Sequence, residues 1–377
     1  YARQPLVITK AKGSRVWDVE GREYLDLFPG WGVSGLGYNH PWVMTALRGQ
    51  SRRIIHVSNN YYHPLQAQAA KKLVQVSFEG KVFFSNSGAE AVETAVKLAR
   101  RWGSADGRHE IIVMRQSFHG RTMAALSATG QPKHQQGFEP LVPGFVMAPY
   151  NDLGAVKAAL SPRTGAVLVE PIQGEGGVHV GTDEFLQGLR RLCDERKLLL
   201  IFDEVQTGMG RTGRWFSYQH SGVKPDVMLL AKALGGGFPI GAVIATPDVA
   251  DLLTPGTHAT TYGGSPLGCA CILAVCEAIE KQELLERVTT LSAWLFKRLE
   301  DLRRRLPIIR EVRGRGFMVG MELTVDGRPI ADGCRAKGLL LNCTQERILR
   351  LLPAMTITKA QLERAVSILE AVLRAHA

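Results

Sequence analysis

The sequence predicts an α/β fold in which a parallel sheet is covered on both faces by helices. Two observations carry that prediction. Short apolar runs alternate with amphipathic stretches through the middle of the chain, the pattern of strands buried on both sides and joined by crossover helices. A chain of 377 residues is also long enough for one large domain with a smaller one beside it.

The candidate strands are residues 82–85, 110–114, 145–148, 166–170, 198–204, 226–231 and 241–246. Between the first two, residues 89–102 place Val92, Val96, Ala99 and Trp102 on one helical face. Between the fourth and fifth, Thr182 or Asp183 is positioned to cap a helix carrying Phe185, Leu189, Leu192 and Cys193. The ends read differently. Near the start, Val16-Trp-Asp-Val, a turn at Glu20-Gly21-Arg22 and Tyr24-Leu-Asp-Leu-Phe28 form a short β segment. From about residue 290 come a long helix, strand candidates at 315–323 and 339–342, and a terminal helix with Leu362, Val366, Leu369 and Val372 on one face. The expectation is a small α+β domain assembled from both termini, residues 1–45 and 290–377, around a large domain of residues 46–289.

Composition narrows the function classes. With 45% hydrophobic and 21% charged residues, the chain reads as a globular enzyme rather than a disordered or fibrous protein. A formal charge of +11 would suit nucleic acid, yet the basic residues are scattered. The densest clusters, Arg303-Arg-Arg305 and Arg52-Arg53, have no aromatic platform interleaved, so no nucleic-acid partner is expected and the charge is read as a solvated surface with some steering of anionic substrates. Six cysteines, with no Cys-x-x-Cys and no zinc-type histidine spacing, argue for free buried thiols in a reducing compartment and against a metal. The opening Tyr1-Ala-Arg-Gln-Pro-Leu-Val-Ile has no apolar core followed by a cleavage site, and no apolar stretch reaches membrane-spanning length. A cytoplasmic location without a membrane partner is expected.

Lys232 ends the run Asp226-Val-Met-Leu-Leu-Ala231 and opens Ala233-Leu-Gly-Gly-Gly237, while upstream Leu198-Leu-Leu-Ile-Phe202 ends in Asp203-Glu204. An amine and a carboxylate on two strand ends facing one crevice are what pyridoxal phosphate chemistry requires: the amine forms a Schiff base and the carboxylate keeps the pyridine nitrogen protonated. Asn86-Ser87-Gly88-Ala89-Glu90 lies at a strand-to-helix turn, where backbone N–H groups and the helix dipole favour a phosphate; alone, such a motif is more often plain capping and turn chemistry. Phe118-His119-Gly120-Arg121 offers a ring to lie against a cofactor and a guanidinium to hold a carboxylate, or a core phenylalanine and a solvated arginine. Glu170-Pro-Ile-Gln-Gly-Glu175-Gly-Gly surrounds a carboxylate with glycines, which also describes a surface turn. Asp203 could instead cap a helix or hold magnesium, but no Gly-x-x-x-x-Gly-Lys-Ser/Thr loop completes a nucleotide site. Gln206, in the same loop, is placed to donate to a ring hydroxyl.

Together these segments, with Ala231-Lys-Ala-Leu-Gly-Gly-Gly237 and Thr260-Thr-Tyr-Gly-Gly264, resemble the class III pyridoxal phosphate-dependent aminotransferases of fold type I, from Val16-Trp-Asp to the last helix. Compact length, His56-Val-Ser-Asn59 with Tyr61-Tyr62, Gly130-Gln-Pro-Lys133, Asn342-Cys-Thr344 and Leu349-Arg-Leu-Leu-Pro353 are most similar to the acetylornithine aminotransferase subgroup. The resemblance implies a mainly parallel seven-stranded sheet in the large domain. It also implies a cofactor site of Ser87, Gly88, Ala89, Phe118, Asp203, Glu204, Val205, Gln206 and Lys232, with Lys232 and Asp203 catalytic. Thr261 is implied to reach the phosphate of a neighbouring subunit, with Thr260 beside that subunit's substrate, so that a homodimer shares its active sites. Arg121 would hold the distant α-carboxylate of the amine substrate. Arg350 would bind the glutamate carboxylate and be neutralised by Glu175 when a terminal amine occupies the space.

The implied reaction is transfer of the terminal amine of N-acetylornithine, and also N-succinyl-diaminopimelate, to 2-oxoglutarate in arginine or lysine biosynthesis. Phe28-Pro-Gly-Trp31 and His63-Pro-Leu-Gln66 depart from the family's usual pattern, Trp31 is expected to line the substrate pocket, and Asn86–Glu93 is closer to 4-aminobutyrate aminotransferases. Ornithine, 4-aminobutyrate or carrier-bound lysine therefore remain alternative substrates, and an aminomutase needing no 2-oxo acid is the alternative reaction.

Overall fold

The computed structural model describes residue 1 and residues 3–376. Its central sheet contains seven strands, in the order Lys81–Ser85, Gly241–Ala245, Val227–Leu230, Leu199–Asp203, Thr164–Val169, Glu110–Met114 and Phe145–Ala148. Every expected strand is present, with ends shifted by no more than two residues. Six run parallel, and Gly241–Ala245 is antiparallel to both neighbours. The interior strands are apolar on both faces because helices cover both sides.

Helix Gly88–Trp102 shows how the sequence builds the cover. Ser87 caps its start by accepting from Glu90 N, and Ala91, Val92, Ala95, Val96, Leu98 and Ala99 form the buried face. Arg100 and Arg101 sit in the last turn, where cations offset the helix dipole. Helix Asp183–Arg196 is capped by Thr182 through Phe185 N and buries Phe185, Leu189, Leu192 and Cys193 as expected. All six cysteines are free, five of them buried. Among the described residues no helix is long and apolar enough to cross a membrane.

The terminal regions correct several expectations. A strand at Ile8–Lys12, too exposed for an apolar signature, precedes Arg15–Asp18 and Glu23–Asp26. The single strand expected at 315–323 is a hairpin of Ile309–Arg315 and Met318–Leu323. It turns at Gly316, where φ is +58° and a side chain would meet Thr212 backbone at 2.5 Å. The strand expected at 339–342 divides between two sheets. Leu339–Leu340 pairs in parallel with Glu23–Asp26, whereas Asn342–Thr344 pairs antiparallel with Ile348–Leu351. The limits expected at 45/46 and 289/290 both fall inside helices, Pro41–Ser51 and Leu284–Arg305.

Candidate active site

The carboxyl ends of the parallel strands open into one cavity of about 560 Å³, the place where open α/β sheets bind ligands. Ser85 leads into Asn86–Ala89, Met114 into Phe118–Arg121, Val169 into Glu170, and Leu230 into Lys232, while Asp203 ends its own strand. All of these loops contribute to the cavity wall, as do Glu175, Val205 and Gln206.

At one end of the cavity lies the helix start at Gly88. Ser87 Oγ accepts from Glu90 N (3.2 Å) and Ser87 O from Ala91 N (3.1 Å), so the N–H groups of Gly88 and Ala89 are those left to take an anion. A side chain at position 88 would come within 3.0 Å of Val205. Glycine is what lets the helix start pack against the aspartate loop.

Asp203 is 5% exposed. Its Oδ2 lies 2.8 Å from His119 Nδ1, and its Oδ1 accepts from Val205 N (3.0 Å). His119 is itself buried, with its Nε2 unpartnered. Glu170 accepts through Oε1 from Phe118 N (2.9 Å) and through Oε2 from Gly174 N (3.0 Å); burial, with Asp203 nearby, pushes its carboxyl up to about 7 against the opposing effect of His119. The Arg121 guanidinium stands 5.3 Å over the Phe118 ring and is exposed at the rim.

Lys232 takes φ +45°, a conformation that costs a non-glycine residue about 1–3 kcal/mol. The turn around it is closed by Leu234 N, which donates to Ala231 O (2.9 Å). Burial lowers the amine below the ordinary lysine range, with Glu175 pulling the other way and Arg350 adding to the depression. The neutral amine is correspondingly easier to reach.

On the cavity wall, Glu175 Oε1 forms an ion pair at 2.8 Å with Nη1 of Arg350, which is fully buried behind it and does not itself line the cavity. Burial alone would raise the Glu175 carboxyl, but the adjacent Arg350 outweighs it and holds it below the usual range. Asn342 Oδ1 accepts from Arg350 Nη2 (3.1 Å) and Nε (3.3 Å), and the rings of Phe28 and Trp31 stand 4.8 and 5.7 Å from the guanidinium.

Several expectations need correcting. Glu204 does not reach the cavity. Residues on a strand end alternate in direction, so with Asp203 facing the site Glu204 faces the opposite side, where it accepts from Ser217 N, Tyr218 N and Thr207 Oγ1, each at 2.7 Å. Gln206 lines the cavity, but its Nε2 donates to Trp31 O (3.3 Å) and its Oε1 accepts from Arg350 (3.3 Å). Trp31 is 53% exposed and sits above Arg350, outside the cavity lining. Thr261 is exposed and Thr260 Oγ1 accepts from Gly263 N (3.1 Å); neither lines this chain's own cavity. His119, Glu170 and Asn342 received no role from the sequence, although all three stand in motifs already singled out.

An amine of lowered affinity for its proton, a buried carboxylate held by a histidine, a flat ring and two free helix-start N–H groups share one cavity, and this donor set fits pyridoxal phosphate. Fold and site define a fold type I pyridoxal phosphate enzyme. Residues 1–373 match the family described as aminotransferase class-III, and the chain belongs to that family: it is a pyridoxal phosphate-dependent transaminase. It is 46% identical to the acetylornithine aminotransferase of Methanocaldococcus jannaschii over 99% of this chain and 94% of that one. It is likewise 46% identical to the acetylornithine aminotransferase of Aquifex aeolicus, over 99% and 98%. Among solved structures, ornithine aminotransferase from Toxoplasma gondii superposes with a TM-score of 0.95 at 35% identity over 99% of this chain and 91% of that chain. N-acetylornithine aminotransferase from Stenotrophomonas maltophilia gives 0.87 at 36% identity, over 100% and 97%.

Proposed function

We propose that this transaminase moves the terminal amine of N-acetylornithine, and also of N-succinyl-diaminopimelate, to 2-oxoglutarate, serving arginine or lysine biosynthesis in the cytoplasm. The observation that carries the reading is the buried Glu175–Arg350 pair. A reaction with two alternating substrates, one reacting at a terminal amine and one beside a carboxylate, needs a cation that can be exposed for the second and neutralised for the first. The choice of acyl substrate rests on the curated relatives named above.

When bound, pyridoxal phosphate supplies an electron sink for the negative charge that develops at the substrate carbon. Gly88 and Ala89 would donate their N–H groups to its phosphate, with Ser87 holding the helix start. Phe118 would pack on its ring. Asp203, oriented by His119, would keep a proton on the ring nitrogen, and the low polarity around it would strengthen that interaction. Lys232 Nζ would take and return the proton at the reacting carbon of the substrate, and its lowered proton affinity suits both roles. Arg121 at the rim holds the substrate's distant α-carboxylate. Arg350 takes the carboxylate of 2-oxoglutarate once Glu175 swings away.

The assembly is a homodimer in which Thr261 completes the partner's phosphate site and Thr260 borders its substrate. Exposed Ile55, Tyr62 and Tyr262 support this, since the segments carrying them meet through Asn59 Nδ2, which donates to Gly263 O (3.0 Å). Light scattering should give twice the chain mass, or a multiple of that; a monomeric active enzyme would contradict shared sites. A second reading, transfer from ornithine itself, is favoured by the close superposition on an ornithine aminotransferase. Steady-state rates with 2-oxoglutarate and N-acetylornithine, ornithine, 4-aminobutyrate and succinyl-diaminopimelate separate these readings. N-acetylornithine should give the highest kcat/KM. Preference for ornithine would establish the second reading, and preference for 4-aminobutyrate or turnover without 2-oxoglutarate would overturn both.

A further inference from the structure

Two sequence segments singled out above, Gly130-Gln-Pro-Lys133 and Asn342-Cys-Thr344, have no part in the chemistry described so far. The fold brings them together at the ion pair. Strand Asn342–Thr344 pairs antiparallel with Ile348–Leu351 in a register that sets Asn342 directly opposite Arg350, so the two side chains share one face of the sheet. Asn342 Oδ1 takes Nε and Nη2 of the guanidinium at 3.3 and 3.1 Å. Two residues on, Thr344 Oγ1 donates to the backbone carbonyl of Glu175 (2.9 Å), and Gln345 Nε2 donates to the same oxygen (2.9 Å). Gln345 Nε2 also donates to Gln131 Oε1 (3.1 Å), whose own amide donates to Ser117 O (3.1 Å), next to the ring-stacking Phe118. Gln345 and Glu346 hold φ of +47° and +61°, which turns the hairpin sharply enough to reach the cavity.

Resting on the reading of Glu175–Arg350 as the carboxylate-sorting pair, we propose that the Asn342–Gln345 strap is its positioning element, fixing the Arg350 guanidinium and the Glu175 backbone so that only the Glu175 side chain swings. Both partners of the pair are held by one short segment, but at different places. Arg350 is held at its side-chain head, through Asn342, beneath two aromatic rings. Glu175 is held at its main chain, while its carboxylate keeps Arg350 as its ion-pair partner. With one Nη1 hydrogen given to Gln206 Oε1, an incoming carboxylate that displaces Glu175 meets the other Nη1 hydrogen and the spare Nη2 hydrogen as a fork. Asn342, Thr344 and Gln345 are positioning residues in this scheme, acting through the pair rather than on the substrate.

The two ends of the strap should fail in opposite directions. In the holoenzyme, Asn342→Ala is expected to weaken binding of glutarate, an unreactive dicarboxylate, roughly tenfold by calorimetry, the loss of hydrogen bonds to a charged group. The KM for 2-oxoglutarate should rise by a similar factor, with the amine-donor KM and kcat within about twofold. Thr344→Val and Gln345→Ala, which free the Glu175 backbone, should raise the amine-donor KM several-fold, on the order of one neutral hydrogen bond, while glutarate binds as tightly as before or more so. Thr344→Ser keeps the donor and should restore the wild-type values, which separates lost positioning from lost folding. Equal falls in kcat without a KM split, or unchanged glutarate affinity in Asn342→Ala, would overturn the strap. Arg350→Lys and Glu175→Gln are the controls. If they leave glutarate affinity unchanged the sorting reading itself is wrong, and if they shift it while the strap variants do not, only the strap proposal fails.

Discussion

The cofactor end and the sorting end of the cavity are built by different means. At the cofactor end, Gly88, Asp203 and Lys232 stand on or beside the ends of strands of one sheet, and each is placed by its own local structure. At the sorting end, Glu175 comes from a tight turn, Arg350 from a strand of the C-terminal sheet and Trp31 from a loop near the N-terminus. The first arrangement is stiff because it inherits the rigidity of the sheet. The second depends on contacts between distant segments, and under the proposed function its central bond opens for one of the two substrates. Leaving a buried cation without a partner costs several kcal/mol, about 3–5, so under the proposed function Glu175 leaves Arg350 only as an incoming carboxylate takes its place.

This contrast predicts graded consequences. Lys232→Ala should abolish the near-visible absorbance of protein reconstituted with pyridoxal phosphate and reduce single-turnover rates by roughly 10⁴-fold; retention of either signal would break the assignment of the cofactor end. Asp203→Asn should cost roughly 10³-fold in kcat, with cofactor still bound, because the ring-side charge is lost while the strand-end geometry survives. A small effect on both half-reactions would place the electrostatic control elsewhere. At the sorting end, Arg350→Lys should raise the KM for 2-oxoglutarate on the order of 100-fold by losing the guanidinium fork, while the amine half-reaction measured in pre-steady state keeps most of its rate. If both half-reactions slow together, the two ends are not separable in the way described.

The smallest effect concerns pH. Glu170 is raised from 4.5 to about 7, so the folded protein binds this proton more tightly than the unfolded chain does. Its contribution is fully present below about 4.5 and is lost as pH rises through about 7. Wild-type Tm should therefore decline across that window relative to Glu170→Gln, with the difference worth about 3 kcal/mol at most. Parallel Tm profiles for the two proteins would show that the Glu170 carboxyl is not held protonated by its surroundings.

Legibility from sequence follows the same division. The seven central strands could be read because each is a continuous apolar run bounded by turn residues, and the helix at Gly88 because its cap and apolar spacing are local. Lys232, Asp203 and the Ser87–Ala89 turn were visible for that reason. The exposed strand Ile8–Lys12 lacked the apolar signal, and the hairpin at Gly316 was hidden inside what read as a single run. Glu204 was misassigned to the site because adjacency in sequence says nothing about which face a strand-end residue takes. His119 stood in plain view, but its bond to Asp203 spans 84 positions.

What the sequence determined by itself was the chemistry: an amine, a carboxylate and an anion-binding turn at strand ends, together with the residues of the sorting pair through their family resemblance. These are short-range properties, set by a few neighbours and by the period of the strand or helix. Only the tertiary structure decided that Asn342 faces Arg350, that Thr344 and Gln345 hold the carbonyl of Glu175, and that Phe28 and Trp31 roof the guanidinium. Those contacts depend on strand register and on closure of loops separated by more than a hundred residues, and no local pattern encodes either.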